Sequence, residues 1–101
     1  MEDVSLILNE QKKGAFVIRD DSRQLGEMVV SISGNNLTVY HTEVVPEAEG
    51  KGLAKKMLQE MVGYARKNNL KVIPLCPYVH AQFRRHPDEY ADLWQAAGEN
   101  E

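Results

Sequence analysis

Four short apolar stretches open the chain, at residues 4–8, 15–18, 26–32 and 37–45. They are rich in β-branched side chains and are separated by polar punctuation: Lys12-Lys13-Gly14 between the first two, Ser33-Gly34-Asn35-Asn36 between the last two. That pattern predicts four strands in a sequential antiparallel meander. From Gly52 the period changes. Leu53, Met57, Met61 and Tyr64, with Ala54, Leu58 and Ala65, recur three and four apart, while Lys51, Lys55, Lys56, Gln59, Glu60 and Arg66 fall elsewhere on the wheel. This spacing predicts one long amphipathic helix, ended by Asn68-Asn69. Residues 71–76 read as a fifth strand that Pro74 interrupts or confines to a sheet edge. Two short helices follow: residues 78–85, then one opened by Pro87 with Asp88 and Glu89 in its first turn. Residues 96–101 are expected to fray. The fold class is α+β, a mostly antiparallel sheet carrying helices. The fourth strand, long helix and fifth strand form a β-α-β unit, so those two strands should run parallel.

No internal repeat or linker divides residues 1–101, and a chain of 101 residues buries one small core, so a single domain is expected. No apolar run approaches the roughly 20 residues of a membrane span, and the acidic Met1-Glu2-Asp3 start lacks the pattern of a secretory signal. The lone Cys76 excludes an internal disulfide framework and suits a reducing compartment, cytoplasm or nucleus. A net charge of −3 argues against general nucleic-acid binding.

The junction between fourth strand and long helix carries the chemistry. In Glu47-Ala48-Glu49-Gly50-Lys51-Gly52-Leu53-Ala54, two glycines one residue apart let the backbone turn sharply and present consecutive N–H groups at a helix start. Such a nest suits phosphate oxygens. Lys51, Lys55 and Lys56 sit in the first turns, where they oppose the helix dipole unless a polyanion binds. The plainer alternative is that Glu47 and Glu49 neutralise the lysines and the glycines only shape a turn. Neither the P-loop nor the dinucleotide-binding glycine pattern fits: the glycines are too close for the first, and Lys55 occupies the third small position of the second.

The loop and its surroundings resemble the GNAT superfamily of acetyltransferases, whose acetyl-CoA loop reads Gln/Arg-x-x-Gly-x-Gly/Ala at this place. Glu47-x-x-Gly50-x-Gly52 matches that spacing, with Glu where Gln or Arg is usual. The chain is most similar to a small stand-alone branch of about a hundred residues, through His41-Thr42-Glu43-Val44, Val72-Ile73-Pro74-Leu75-Cys76-Pro77 and Arg84-Arg85-His86-Pro87. The resemblance implies acetyl-CoA as co-substrate and no metal. It places the pantetheine arm along Val44 and Val45, and the pyrophosphate on Glu49, Gly50, Lys51, Gly52, Leu53, Ala54 and Lys55. It also implies a GNAT-like fold without the two helices that larger members carry between their first two strands, because only residues 9–14 separate them here.

Acetyl transfer to an amine needs a base within reach of the nitrogen and a group at the departing thiol. His41 and Glu43, two apart on one strand, share a face unless a bulge intervenes. His41 is the better base by intrinsic pKa, with Glu43 orienting it. Cys76, between two prolines, would face the same cleft and could accept the acetyl group, or protonate or position the thiol. The plainer alternatives are a hydrogen-bonded strand histidine and a buried apolar cysteine. The resemblance expects a general-acid Tyr seven residues after position 76, but Phe83 stands there. His80, His86, Cys76 and His41 lack zinc spacing.

An N-acetyltransferase is thus the first reading. An acyl-CoA-binding module or sensor with little turnover is the second. A protein-interaction domain survives if the glycine loop is only structural. The missing helices would leave the acceptor side open, fitting a protein or other large amine. A monomer or weak dimer is expected, with Leu93 and Trp94 sealing the core or forming a self-contact.

Overall fold

The computed structural model describes residues 2–95; the fraying expected at residues 96–101 lies outside them. Five strands form one sheet in the order β1-β2-β3-β4-β5: β1 Asp3–Leu8, β2 Lys13–Arg19, β3 Gln24–Ser33, β4 Asn36–Val44 and β5 Lys71–Pro74. The first four pair antiparallel in sequence, and β5 runs parallel to β4. The α+β class and meander follow the hydrophobic pattern, as does α1, Leu53–Lys67. The last two helices are α2, Pro77–Arg85, and α3, Pro87–Tyr90.

Turn chemistry sets the hairpin registers. Gly34 has φ 56° while Asn35 stays at negative φ, so the Ser33↔Asn36 pair is closed by a type II′ turn with glycine first. Between β1 and β2 the Asn9 side chain accepts from the Gln11 and Lys13 amides, at 2.9 and 3.1 Å. This turn spans residues 9–12, so Lys13 and Gly14 belong to β2 rather than to the turn expected from the sequence. Residue 14 must be glycine: a Cβ there would stand 1.8 Å from the Ile7 carbonyl oxygen.

One sheet face carries Phe16, Ile18, Met28, Val30, Leu37 and Val39, all buried together with Leu53, Met57, Leu58, Met61, Val62 and Ala65 of α1. α1 lies across β2, β3 and β4, whereas α2 leans on β4 and β5. Tyr64 and Ala54, at the margins of the helical stripe, are only half-buried, and Val62 is buried although it fell outside the expected face. Phe83 is fully buried, stacked on Tyr90 at 4.6 Å between ring centres. Trp94 packs its edge on Phe83 and His80. The segment holding Leu93 and Trp94 also pairs in parallel with Val72, a rudimentary sixth strand that short sequence periodicity could not reveal.

Two irregularities in β4 shape the site. Val29 faces His41 and Val30 faces Val39, so Tyr40 is an extra, unpaired residue: a β-bulge. The bulge reverses the alternation. Leu37 and Val39 point to the helix side before it, Thr42 and Val44 after it. Second, pairing with β5 ends at Val39↔Pro74, two residues short of the expected strand end. There the chain turns away, the Cys76 amide donates to the Val39 carbonyl at 2.9 Å, and α2 begins. Residues 40–44 therefore have no strand beside them on the β5 side.

Candidate active site

The glycine loop follows a 3-10 turn, Pro46–Ala48, that periodicity did not predict. Gly50 and Gly52 have φ 84° and 75°, the left-handed region that glycine enters without a Cβ penalty, and an added Cβ at either would meet nothing within 4 Å. The glycines therefore serve backbone conformation, not packing. Gly52 is the residue before α1, with no side-chain cap and no acidic residue in the first turn. Among the described residues, the N–H groups of Gly50, Gly52, Leu53, Ala54 and Lys55 have no hydrogen-bond acceptor, while the Lys51 N–H closes the turn at Glu49-Gly50; the first helical bond is Lys56 N–H to the Gly52 carbonyl. Five free donors at the positive end of a helix dipole match the oxygens of a pyrophosphate.

The neighbouring charges do not neutralise the lysines as the plainer reading supposed. Glu47 accepts a hydrogen bond from Arg23 at 2.9 Å, and its own backbone N–H together with that guanidinium holds its carboxyl below the usual range. Lys56 is paired with Glu2 at 2.5 Å. Neither Lys51 nor Lys55 has a carboxylate within 4.0 Å among the described residues. Glu47 is thus turned to the β2–β3 connection, which accounts for a carboxylate at that loop position.

Most of the expected cofactor residues gather around one cleft of about 360 Å³. Val44, Glu49, Gly50, Gly52, Leu53, Ala54 and Lys55 line it, joined by Ala48 and Tyr78. Burial pushes the Tyr78 phenol above its ordinary pKa, with Cys76 adding to the shift, so it stays protonated. A second cleft of about 590 Å³ shares Val44 and Glu49 with the first and continues along β4 through Val45, Thr42 and Glu43 to Gly26 and Glu27. Lys51 lines neither cleft. Arg84 and Arg85 line a separate hollow with Ala81.

The three expected catalytic side chains fall into two groups. His41 and Glu43 do share a face, Nε2 to Oε2 at 3.8 Å, because the bulge precedes both. Both are exposed, and Glu27, the register partner of Glu43, joins them: donor atoms of the three lie within 4.8 Å of one another. Cys76 is elsewhere. Its thiol is 1 % exposed and lies 3.3 Å from the Thr42 hydroxyl, on the helix side of β4. The bulge thus exchanges the neighbours of Cys76, bringing Thr42 to it in place of His41 or Glu43. Thr42 and Glu27 were missed by sequence reasoning. The shift of apolar positions from odd (Leu37, Val39) to even (Val44) was the available signal for Thr42, whereas Glu27 needs the cross-strand register.

Comparison with known proteins bears on the family and the fold. Among solved structures, a GCN5-like protein from Staphylococcus aureus matches at 29 % identity and TM-score 0.66, over 94 % of this chain and 91 % of that one. The ribosomal-protein-S18-alanine N-acetyltransferase from Escherichia coli shares the fold at TM-score 0.67 and 10 % identity, over 73 % of this chain and 66 % of that one. Nourseothricin acetyltransferase matches at 28 % identity and TM-score 0.57, over 79 % of this chain. The chain spans just 52 % of that enzyme. No curated protein matches significantly. The sequence pattern of the GCN5-related N-acetyltransferase family matches residues 15–93, four strands, the glycine loop and the helices through Leu93, and the chain belongs to that family.

Proposed function

We propose that the protein binds acetyl-CoA and transfers its acetyl group to an amine. The observation that carries this reading is the set of five unpaired N–H groups at Gly50 and Gly52 to Lys55, beside a β4 edge left open by the departure of β5. The set suits the pyrophosphate. The open edge at Val44 suits an amide of a pantetheine arm, which pairs as a strand would, while the Val45 N–H donates to the Leu25 carbonyl at 2.8 Å and the Val45 carbonyl accepts from the Ala48 amide at 3.0 Å. When bound, acetyl-CoA supplies an activated acyl carbon. The chain's own residues then orient it and handle the proton: His41, braced by Glu43, takes the proton from the amine, and the Glu27–Glu43 pair favours a nitrogen that arrives charged. Cys76, shut from solvent, acts as a buried partner of the site rather than as an open nucleophile.

The acceptor is an amine on a protein or other large molecule, since a four-residue turn (residues 9–12) joins β1 to β2 and no helix there walls off the sheet. A reducing compartment, cytoplasm or nucleus, suits the free thiol of Cys76. The protein acts as a monomer or weak dimer, without a metal. Steady release of CoA thiol from acetyl-CoA in the presence of a panel of amines and peptides tests the proposal. Release that stays at the amine-free rate across the panel, with acetyl-CoA bound, would favour a second reading, an acyl-CoA sensor. One observation points that way: Phe83, where the family resemblance expects an acid hydroxyl, is sealed in the core.

A further inference from the structure

The Tyr40 bulge gives the site a group that the catalytic trio expected from the sequence did not contain. Thr42 lies part-buried between two environments. On one side its Oγ1 is 3.3 Å from the Cys76 sulfur, which has 1 % exposure and no other side-chain hydrogen bond among the described residues. On the other side it lines the cleft that runs along β4 past Val44 and Val45. A hydroxyl can accept one hydrogen bond and donate one at the same time. A thiol is a weak donor and a sulfur a weak acceptor, so the Thr42 proton is held only loosely at Cys76. A carbonyl oxygen in the cleft is the better acceptor for it.

We infer that Thr42 is a catalytic residue: its hydroxyl donates to the thioester carbonyl oxygen, while the buried Cys76 S–H donates to Thr42 Oγ1 and keeps the hydroxyl proton aimed at the cleft. This rests on the reading that acetyl-CoA lies along β4. As the amine nitrogen bonds to the carbonyl carbon, the C=O electron pair moves onto oxygen, where the Thr42 donor meets the growing charge. On collapse the C=O bond re-forms, the C–S bond breaks, and CoA leaves as a thiolate. An amine that arrives as ammonium first gives one proton through His41 to solvent; after attack the second nitrogen proton passes to His41 and from there through solvent to the thiolate. Cys76 acts through Thr42 as a positioning residue and forms no bond to the acetyl group.

The test uses the full chain with acetyl-CoA carrying ¹³C at the thioester carbonyl, read by isotope-edited infrared spectroscopy, together with CoA release under saturating amine. Thr42→Val removes the hydroxyl at constant volume, and Thr42→Ser keeps it. The wild type and Thr42→Ser should hold the bound carbonyl stretch at lower frequency than Thr42→Val does. Thr42→Val should also lose turnover at least tenfold, as expected for removal of one donor to a developing oxyanion, with acetyl-CoA affinity within about threefold of wild type. Cys76→Ala should broaden the carbonyl band or shift it part-way, which a purely structural cysteine would not do. An identical carbonyl frequency in wild type and Thr42→Val, both saturated, overturns the inference while leaving acetyl-CoA binding intact. Failure of the wild type to bind acetyl-CoA would instead sink the functional reading itself, and the inference with it.

Discussion

Gly52→Asp separates the phosphate-binding role of the loop from its structural one. Gly52 has φ 75°, so an aspartate there adopts a left-handed backbone, which costs about 1 kcal/mol, the low end for a residue that tolerates this region. No steric cost adds to it, because the new Cβ would meet nothing within 4 Å. The variant should therefore fold, with a melting temperature lowered by no more than about 4–8 °C. Binding is another matter. The substitution sets a carboxylate among donors that face the phosphates, where it both occupies N–H groups and repels the ligand. Two unit charges about 4 Å apart interact by about 1 kcal/mol in water and about 4 kcal/mol near a protein surface. Even the weaker end of that range, with one donor lost, predicts at least a tenfold drop in affinity for acetyl-CoA. Calorimetric titration with acetyl-CoA, alongside a thermal melt, reads both quantities. Gly34→Asp is the control: φ 56°, equally open, in the β3–β4 turn away from the cleft. Because the first position of a type II′ turn lies outside the αL region that aspartate tolerates, it should cost at least as much stability as Gly52→Asp and leave affinity alone. Unchanged affinity in a folded Gly52→Asp protein would refute the cradle.

Two further outcomes probe the scaffold. Gly14→Ala drives a methyl into the Ile7 carbonyl, 1.8 Å away, so β1 must move off β2; urea denaturation should show a loss of at least about 2 kcal/mol. The Asp92 carboxyl is held below its ordinary pKa, chiefly by a hydrogen bond from Arg66 at 3.0 Å. A depressed carboxylate stabilises the fold above the unfolded pKa, about 3.9, and the contribution fades as pH falls through the folded value. Asp92→Asn should therefore cost less than about 1 kcal/mol at pH 7, as for an exposed pair, and less still as pH falls to about 2; denaturation curves at both pH values check this.

Much of the molecule was legible because its elements obey strong local rules. Alternation places β1 to β4, the stripe from Leu53 to Ala65 places α1, and Pro74 marks β5 as an edge. The glycine loop was legible for a related reason: left-handed residues beside a helix start require glycine, and they do so at Gly50 and Gly52. The grouping of His41, Glu43 and Cys76 was not legible. A bulge inserts one residue without any composition of its own, and Tyr40 is recognisable as the extra one only against Val29 and Val30 of the next strand. From that single insertion follow the partnership of Thr42 with Cys76 and the separate cluster of Glu27, His41 and Glu43. The role of Glu47 was hidden likewise, since Arg23 lies 24 positions away and meets it only through the fold.

Titration of the wild-type protein with acetyl-CoA by calorimetry tests the central claim most directly. The account predicts saturable one-to-one binding well below millimolar, weakened by salt as expected for a pyrophosphate on exposed amides and lysines. No heat of binding at millimolar acetyl-CoA, from a protein shown to be folded, would contradict it.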